Sequence, residues 1–372
     1  MAPTPEPAAG RPGPHNDLTD VAGVRVGHHQ RTDDGWLTGT TVVLAPPATV
    51  GGVDVRGGGP STRETDALAP TTLVDAVHAV CLSGGSSYGL AAASGVMDWL
   101  GRRGVGLPVG GIEGQVVPIV PAACCYDLRD GEAFARRPDA AFGAAAAAAA
   151  ASPGGAGPLD QGNVGAGTGA HAGRLKGGIG SASVVLAGGG CVAALVAVNS
   201  SGSPVDPRSG RLHGAGLLLP GERPPLRAPD EAEVVAGAAW AEIGSWPGNT
   251  MLAVVATDTD LTAAECSRVA MAAHDGLARA VQPAHGMTDG DVVFALATRA
   301  APLPDVGAGR LLRGDARPVG LGAVMAAAAD TVTRAVVHAV LAARGAGGLR
   351  AYLDVYPSAL DRSEVADSGS LR

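Results

Sequence analysis

An apolar run at residues 251–257 begins directly after the turn-like segment 246–250, Trp-Pro-Gly-Asn-Thr. The run is rich in β-branched residues and holds neither Gly nor Pro, so it predicts a buried strand. Gly248 and Asn249 both tolerate unusual backbone angles, which places a strained turn immediately before the strand. The sequence therefore predicts a core strand that begins at the hydroxyl residue Thr250, and the other elements of the fold must pack around this strand.

This turn has two interpretations. In the first, the Thr250 hydroxyl attacks the preceding carbonyl carbon in an N→O acyl shift, and hydrolysis then leaves Thr250 as a new N-terminus. An unperturbed α-amine has a pKa of about 7.7–8.0, so it could act as the base for its own hydroxyl near neutral pH. In the second, the segment is a tight turn into a core strand, and Thr250 is simply a good strand residue.

Size and charge limit the class of protein. The 372 residues, 46% of them hydrophobic and 57 of them Gly, could form one large layered α/β domain or two average ones. The net charge is −8 and no basic run occurs, so binding to nucleic acid or to an anionic membrane is disfavoured. Residues 144–151 are too few to span a bilayer, and no unbroken apolar run of about 18 residues occurs elsewhere.

The N-terminal residues and the cysteines indicate a cytoplasmic protein. Residues 1–15 are rich in Pro and Ala, so we expect a disordered tail, and they lack the pattern of a signal peptide. The five cysteines are odd in number and show no metal-type spacing, which predicts buried thiols in a reducing compartment. No cluster of metal ligands is evident, so no cofactor is expected.

Strands and helices alternate in the N-terminal half. A strand at 77–82 runs through a Gly/Ser turn at 83–87 into a helix at 88–100, and an Ala-rich helix follows at 140–151. The turn could bind an anion or an oxyanion through its backbone N–H groups, or could simply pack the helix on the strand. The glycine-rich segment 162–171 is not flanked by a strand and an apolar helix, so a dinucleotide site is rejected.

Strands and helices are also predicted in the C-terminal half. Residues 183–187 and 191–198 predict a hairpin, and residues 203–247 a long surface connection with one short helix near 229–243. Thr262-Ala-Ala-Glu265 is a capping box that opens a helix. A strand at 292–298 and a largely buried helix at 322–344 complete the pattern.

Polar residues stand at the ends of the predicted core strands. Asp289 and Asp291 lie two residues apart just before a strand, so in extended backbone both carboxylates point to one side and could share a proton; the alternative is an ordinary Asp-Gly-Asp turn. Asn199 could donate to an oxyanion or cap a turn. Lys176 could lower the pKa of the Thr250 amine or hold a carboxylate, or could be a solvated surface charge.

Four segments carry a resemblance to a known family. The segments, in order, are Ser83-Gly-Gly-Ser-Ser-Tyr-Gly-Leu, Gly173-Arg-Leu-Lys-Gly-Gly-Ile-Gly-Ser-Ala-Ser, Gly248-Asn-Thr-Met and Asp289-Gly-Asp-Val-Val-Phe-Ala-Leu. Together they resemble the self-processing L-aminopeptidase/D-esterase peptidases, which include the β-peptidyl aminopeptidases and the nylon-oligomer endohydrolases. The resemblance extends over residues 16–341, and the Asn-Thr pair resembles the threonine-nucleophile branch.

The resemblance implies roles for individual residues. Thr250 would be the nucleophile and new N-terminus, Asn199 would assist the oxyanion, and Asp289 and Asp291 would orient and tune the threonine. The family's lysine falls on Lys176, although Arg174 lies close enough to be an alternative. Serine members carry Ser-Gly-Glu where this chain has Asp289-Gly290-Asp291, so their triad does not transfer unchanged.

The resemblance also implies a fold and an assembly. The fold would be a four-layer α-β-β-α sandwich of the N-terminal-nucleophile type, whereas alternating strands and helices alone would also allow a doubly wound sheet. After the tail at 1–15, residues 16–249 would form a large subunit part and residues 250–372 a small one within the same domain. A homo-oligomer, a tetramer or larger, is expected.

The function implied is a self-cleaving amide hydrolase that forms an acyl-enzyme on Thr250. Its substrate would be a small-molecule or oligomeric amide, with linear amides such as 6-aminohexanoate oligomers as the first candidates. One alternative is an aminopeptidase/D-esterase that releases N-terminal amino acids, and another is an acyltransferase of the ornithine acetyltransferase type. A third is an uncleaved binding protein on the same scaffold.

Overall fold

The computed structural model describes residues 10–222, 225–244, 248–305 and 317–360. Trp246 and Pro247 of the turn discussed above lie outside these ranges, as do residues 1–9 of the expected tail. The strands are β1 Arg25–Arg31, β2 Thr38–Leu44, β3 Val50–Val55, β4 Thr62–Arg63, β5 Ala79–Ser83, β6 Leu107–Pro108, β7 Val116–Val117, β8 Ala122–Cys124, β9 His171–Ala172, β10 Leu175–Lys176, β11 Gly178–Val185, β12 Cys191–Val198, β13 Leu252–Thr259 and β14 Val292–Ala301. The α-helices are α1 Ala91–Gly101, α2 Ala140–Ala151, α3 Glu231–Gly237, α4 Ala263–Ala280, α5 Arg317–Ala342 and α6 Tyr352–Val355.

The strand predicted after Thr250 lies in the middle of a five-stranded sheet, here called sheet A, with the order β11-β12-β13-β14-β3. β13 is antiparallel to β12 and parallel to β14, with Leu252 opposite Val292. The parallel pairing follows from the chain path, because α4 connects the end of β13 back to the start of β14. The start of β13 therefore lies beside both the end of β12 and the start of β14.

A second five-stranded sheet, sheet B, has the order β1-β2-β5-β8-β4 and packs face to face on sheet A. Val80 and Leu82 of sheet B contact a cluster that includes Leu195, Val254 and Phe294 of sheet A, and all five are buried. Both strands predicted from apolar runs, at 77–82 and 191–198, thus supply the core between the two sheets.

Helices cover the two outer faces. The cluster on the far side of sheet A is formed with α4 and α5, and that on the far side of sheet B with α1 and α2. The α1–α2 crossing is close because Gly95 faces the backbone of Ala140 and Gly143 faces that of Ala92, where a methyl group would clash. The layer order is therefore α-β-β-α, which confirms the expected fold and excludes the doubly wound sheet.

Helix α5 is long and apolar enough to cross a membrane by length and composition. Its most apolar window is 72% buried inside the protein, however, and it packs on sheet A and on α4. Burial of this kind is typical of a core helix, as the sequence predicted for residues 322–344.

The glycine-rich and N-terminal segments differ from the predictions. β11 begins at Gly178 rather than residue 183, because Gly178 and Gly180 lie in the strand, where their missing side chains let Gly162 and α5 approach. Residues 10–15 were expected to be disordered, but Arg11 pairs with Val185 and Gly13 N donates to Ser183 Oγ at 3.0 Å.

The connection at 203–244 is less superficial than predicted. It contains α3, but Val205 and Leu212 are buried in the same cluster as α5. The side chain of Glu222 is buried as well, and it binds Arg334 of α5 at 2.8 Å and Asn16 at 3.0 Å. The connection is thus held to the core by apolar contacts and by one buried ion pair.

Candidate active site

Sheet A brings Thr250 together with three of the other residues selected from the sequence. Asn199 follows β12, while Asp289 and Asp291 precede β14, so all three stand at the edge of the sheet where β13 begins. Thr250 N donates to Asn199 O at 2.7 Å, and Asn249 pairs with Asp289 in a parallel bridge. Thr250 lies two residues before β13 rather than at its first position, and its exposure is only 4%.

Two donors converge on the carbonyl oxygen of Asn249. Thr250 Oγ donates to it at 2.5 Å and Gly290 N donates to it at 2.8 Å. Gly290 must approach closely, because a Cβ atom at this position would lie 2.6 Å from Thr250 Oγ. The carbonyl group of the Asn249–Thr250 peptide bond is thus polarised by the Gly290 N–H and lies next to the Thr250 hydroxyl.

Each of the two aspartate carboxylates has its own hydrogen-bond donors. Asp289 accepts from Ser201 Oγ at 2.8 Å and Gly286 N at 2.7 Å. Asp291 accepts from Met251 N at 2.8 Å and His285 Nδ1 at 2.7 Å. The chain turns through Gly290 instead of continuing as a regular strand, which gives the two side chains separate surroundings.

The side chain of Asn199 is fixed by two backbone groups. Its Nδ2 donates to Tyr126 O at 3.0 Å, and its Oδ1 accepts from His171 N at 3.0 Å. The Tyr126 ring also lies against Gly248, where a side chain would meet the ring at 2.9 Å. Asn199 therefore does more than cap a turn, since it joins three chain segments at the start of β13.

Lys176 is completely buried, so it is not a solvated surface charge. Its Nζ donates to three backbone carbonyls, those of Gly167, Ala170 and Gly177, at 2.7–3.0 Å. Burial lowers the pKa of Lys176 to about 7, against the opposing attraction of Asp127. Three acceptors match the three protons of an ammonium group, so these carbonyls favour the charged form.

Lys176 does not contact Thr250 directly. It pairs with His171 in the β9–β10 ladder, and His171 N in turn holds Asn199. Arg174, the alternative for the family's lysine, is 46% exposed and bonds Glu242 at 2.9 Å on the surface. The structure therefore favours Lys176 over Arg174 as the residue connected to this site.

The Gly/Ser turn after β5 binds a carboxylate of the chain itself. Gly85 N donates to Asp127 Oδ1 at 2.6 Å. Burial raises the pKa of Asp127 to about 6, although the hydrogen bonds from Thr38 and Gly85 and the charge of Lys176 oppose the rise. The side chain of Thr38 also hydrogen-bonds this carboxylate, and its second oxygen, Oδ2, is buried. The turn thus binds an anion as well as packing the helix on the strand, and this anion is the Asp127 carboxylate of the chain itself.

A cavity of about 800 Å³ opens beside Asn199. Tyr126 and His171, the two residues that hold the Asn199 side chain, both line it, and so does Asp127. The rest of its wall mixes apolar and basic groups, among them Trp36, Leu128, Arg129 and Arg136. Thr250, Asn199, Asp289 and Asp291 do not line it. It is the candidate substrate cavity because Tyr126 and His171 connect it to Asn199.

Several residues of this site were not predicted from the sequence. Gly290 and His285 lie within or beside the Asp289 motif, and that position was the only available signal for them. Tyr126 and Asp127 follow β8, and their approach to Asn199 depends on the pairing of distant strands, which a local pattern does not reveal.

Solved structures of aminopeptidases share this fold. A β-aminopeptidase from Burkholderia sp. superposes with a TM-score of 0.65 at 26% identity, covering 95% of this chain and 97% of that one. The L-aminopeptidase/D-Ala-esterase/amidase from Ochrobactrum anthropi, described as a variant of the Ntn hydrolase fold, gives 0.62 at 24% identity, covering 95% and 97%. The molecule therefore has an Ntn hydrolase fold of the aminopeptidase type.

The chain belongs to peptidase family S58, whose model matches residues 16–352. It is 48% identical over 356 residues to an uncharacterized aminopeptidase of Mycobacterium tuberculosis, covering 92% of this chain and 99% of the relative. It is also 31% identical over 328 residues to a 6-aminohexanoate-oligomer endohydrolase of Kocuria sp., covering 86% and 84%. These matches confirm the resemblance stated above.

Membership of this family makes the chain a hydrolase of the peptidase/amidase class. The acyltransferase and binding-protein alternatives are disfavoured, because the shared family is one of peptidases.

Proposed function

We propose that the chain cleaves itself between Asn249 and Thr250, and that Thr250 is then the N-terminal nucleophile of an aminopeptidase/amidase. The observation that carries this proposal is the pair of donors on the Asn249 carbonyl oxygen, Thr250 Oγ and Gly290 N. Backbone N–H groups aimed at a carbonyl oxygen stabilise the negative charge that develops there when the carbon is attacked.

Self-cleavage proceeds in two steps. In the first, the bond from Thr250 Oγ to the Asn249 carbonyl carbon forms, the amide C–N bond breaks, and the hydroxyl proton passes to the departing nitrogen. In the second, water hydrolyses the ester, which yields the Asn249 carboxylate and free α-amine and hydroxyl groups on Thr250. Gly290 N stabilises the oxyanion in both steps.

In the mature enzyme, the Thr250 amine takes over as base. Its nitrogen is held by Asn199 O at 2.7 Å, and as a free amine it accepts the proton of its own hydroxyl when that oxygen attacks a substrate amide. Asn199 Nδ2 donates one hydrogen to Tyr126 O, and an amide carries a second, which is assigned to the substrate oxyanion. Asp289 holds the preceding loop at Gly286 N, and Asp291 holds Met251 N, directly after the nucleophile.

Gly290→Ala is expected to slow self-cleavage by at least about 100-fold, the effect of losing one oxyanion donor. The added methyl group would lie 2.6 Å from Thr250 Oγ and 2.7 Å from Gly59 O, so the hydroxyl and the Gly290 N–H cannot both keep their positions. Denaturing gels over a time course measure the cleaved fraction. Gly216→Ala is the matched control, because no described atom lies within 4 Å of its added methyl; equal cleavage in the two variants would contradict the role of Gly290.

The geometry supports substrates with a free amino group as the first candidates. An enzyme that acts at a free amine needs a carboxylate near the cleft to bind the ammonium group. Asp127 lines the cavity, follows Tyr126 directly in the chain, and is the more buried of the two carboxylates in the cavity wall, Asp127 and Asp130. We therefore assign the substrate ammonium to Asp127, which favours the aminopeptidase activity.

Asp127→Asn is expected to raise KM for amino-acid p-nitroanilides by about 10- to 100-fold and to change kcat little, since it removes a charge-assisted hydrogen bond that binds substrate and transition state alike. The variant keeps an oxygen for Gly85 N, so the turn is retained. In the wild-type enzyme, KM should also rise as the pH falls below about 6, where Asp127 becomes protonated. Asp130→Asn, at an exposed carboxylate nearby, is the control, and an unchanged KM in Asp127→Asn would exclude the assignment.

Hydrolysis of 6-aminohexanoate oligomers is the second candidate. It is favoured by the Asn249-Thr250 pair, by the Asp289-Gly290-Asp291 motif and by the 31% identity to an endohydrolase of these oligomers. Free and N-acetylated oligomers, incubated side by side with amino-acid p-nitroanilides, separate the two activities. Turnover of the acetylated oligomers would establish endo action, and turnover of free-amine substrates alone would leave an aminopeptidase.

A further inference from the structure

In the loop before β14, His285 binds the carboxylate of Asp291 in the candidate active site. His285 donates to Asp291 Oδ2 twice, from its ring Nδ1 at 2.7 Å and from its backbone N at 3.3 Å. Its φ of +60° lies in the left-handed region, which residues other than Gly adopt uncommonly, His being among the more frequent of them. A residue in this conformation that binds one carboxylate oxygen through both its backbone N and its ring Nδ1 indicates a functional constraint.

Asp291 connects this histidine to the nucleophile. Its other oxygen, Oδ1, accepts from Met251 N at 2.8 Å, and Met251 directly follows Thr250. Two hydrogen bonds therefore lead from the His285 ring to the backbone that carries Thr250. If Asp291 rotated, it would release the backbone of the nucleophile.

The groups around His285 come from three elements. The ring of His274, on α4, meets it edge to face at 4.9 Å, and His274 Nε2 lies 3.1 Å from Asp54 O on β3. Burial lowers the pKa of His274 to about 4, so this ring is neutral. Arg56 neutralises Asp54 at 2.7 Å and repels a charged His285 from a distance, which leaves Asp291 as the carboxylate that contacts the ring.

We propose that His285 is a positioning residue of the active site, whose imidazolium form holds Asp291 in the orientation that fixes the Thr250–Met251 backbone. The proposal rests on the roles given to Thr250 and Asp291 under the proposed function. It assigns a role to a residue that neither lines the cavity nor touches the reacting bond.

The charge of His285 gives the proposal a pH signature. Burial disfavours the charged ring, but the hydrogen bond and charge of Asp291 outweigh it, so the pKa of His285 is raised above its usual 6.5. The imidazolium–Asp291 attraction is thus fully present below pH 6.5 and is lost as the pH rises through the raised pKa. The rate of self-cleavage should therefore decline at alkaline pH. Titration of the Thr250 amine does not contribute to this decline, because the amine is not free before cleavage.

Two substitutions separate the ring donor from the backbone conformation. His285→Gly keeps a positive φ without strain and removes the side-chain donor. His285→Asn also tolerates a positive φ and offers an amide N–H near the position of Nδ1, but it cannot titrate. Self-cleavage of freshly translated chain at several pH values, and kcat and KM of the matured protein, are measured for each variant.

We expect His285→Gly to cleave about 10- to 100-fold more slowly than wild type, as for the loss of a hydrogen bond to a charged group. His285→Asn should recover most of that rate and should lack the alkaline decline. In both variants kcat should change while KM stays within about twofold, because His285 is not among the residues that line the cavity.

Several results would overturn the inference. Wild-type rates in His285→Gly, or equal losses in both variants, would show that the donor does not matter or that only ring packing against His274 does. If His285→Gly fails to fold, as a thermal melt would show, the pH profile of His285→Asn decides, and an alkaline decline equal to that of wild type refutes the proposal. Thr250→Ala in parallel keeps the two hypotheses apart, since cleavage that persists in Thr250→Ala refutes the proposed function itself, whereas an unimpaired Asp291→Asn refutes the connection through Asp291 that is proposed here.

Discussion

Thr250→Ala is expected to remain a single chain of 372 residues, whereas the wild-type protein separates on a denaturing gel into residues 1–249 and 250–372. The alanine has no hydroxyl to attack the Asn249 carbonyl, so no ester can form. Amidase activity should fall by more than about 10⁴-fold, the scale seen when a nucleophile is removed. Intact-mass spectrometry locates the cleavage point to the residue.

Thr250→Ser is the matched variant for this experiment, because it keeps a hydroxyl in the same place. We expect it to cleave, while Thr250→Ala, at a site with only 4% exposure, should still fold, since the loss of so small a group costs about 1 kcal/mol. Cleavage that persists in Thr250→Ala, or a wild-type chain that stays intact through long incubation, would disprove self-processing at this bond.

Asp289→Asn, Asp291→Asn and the double mutant are expected to lose activity to similar extents, by about 100-fold or more. The reason is structural coupling, because the two carboxylates accept from adjacent backbone groups of one turn, Gly286 N and His285 N. Once either anchor is lost, the turn that places Gly290 against Thr250 is lost as well, and groups that act as a unit give non-additive losses.

Steady-state rates for this series should be measured on protein that has already been cleaved, so that processing and turnover are not confused. Ser201→Ala is a useful control, since it removes one donor from Asp289 and leaves the carboxylate charge. If the losses of the two single mutants multiply in the double mutant, the aspartates have independent roles and the coupling through the turn is wrong.

Local patterns predicted most of the secondary structure. The Ala-rich helix at 140–151 and the strand at 191–198 have the predicted bounds, and the capping box at Thr262 is formed, with Glu265 Oε2 accepting from Thr262 N at 2.8 Å. These elements depend on period and on capping chemistry, which a sequence shows directly.

The failures come from features that periodicity does not record. Glycine in a sequence usually predicts the end of a strand. Gly178 and Gly180 nevertheless lie inside β11, because neighbouring elements occupy the space that side chains would fill. The pairing of β3 with β14 joins residues more than 200 positions apart. The four-layer order therefore could be expected only from the resemblance.

The site shows the same division. Polar residues at strand ends identified Thr250, Asn199, Asp289 and Asp291, but their meeting depends on the order β12-β13-β14. Nothing local distinguishes a buried Lys176 from an exposed Arg174 two residues earlier. The separate donors of Asp289 and Asp291 arise from the turn at Gly290, which an extended backbone does not contain.

Sheet A is assembled from both sides of the proposed cleavage point. β13 and β14 belong to the C-terminal piece, and they lie between β12 and β3, which belong to the N-terminal piece. Before cleavage, all five strands find their partners within one molecule, at a rate that does not depend on concentration. After cleavage, an unfolded molecule consists of two separate chains, and each chain lacks some strands of sheet A. Refolding then requires the two chains to associate, so its rate depends on their concentration. The severed bond would thus make folding irreversible in practice, so each molecule assembles once and is lost when it melts.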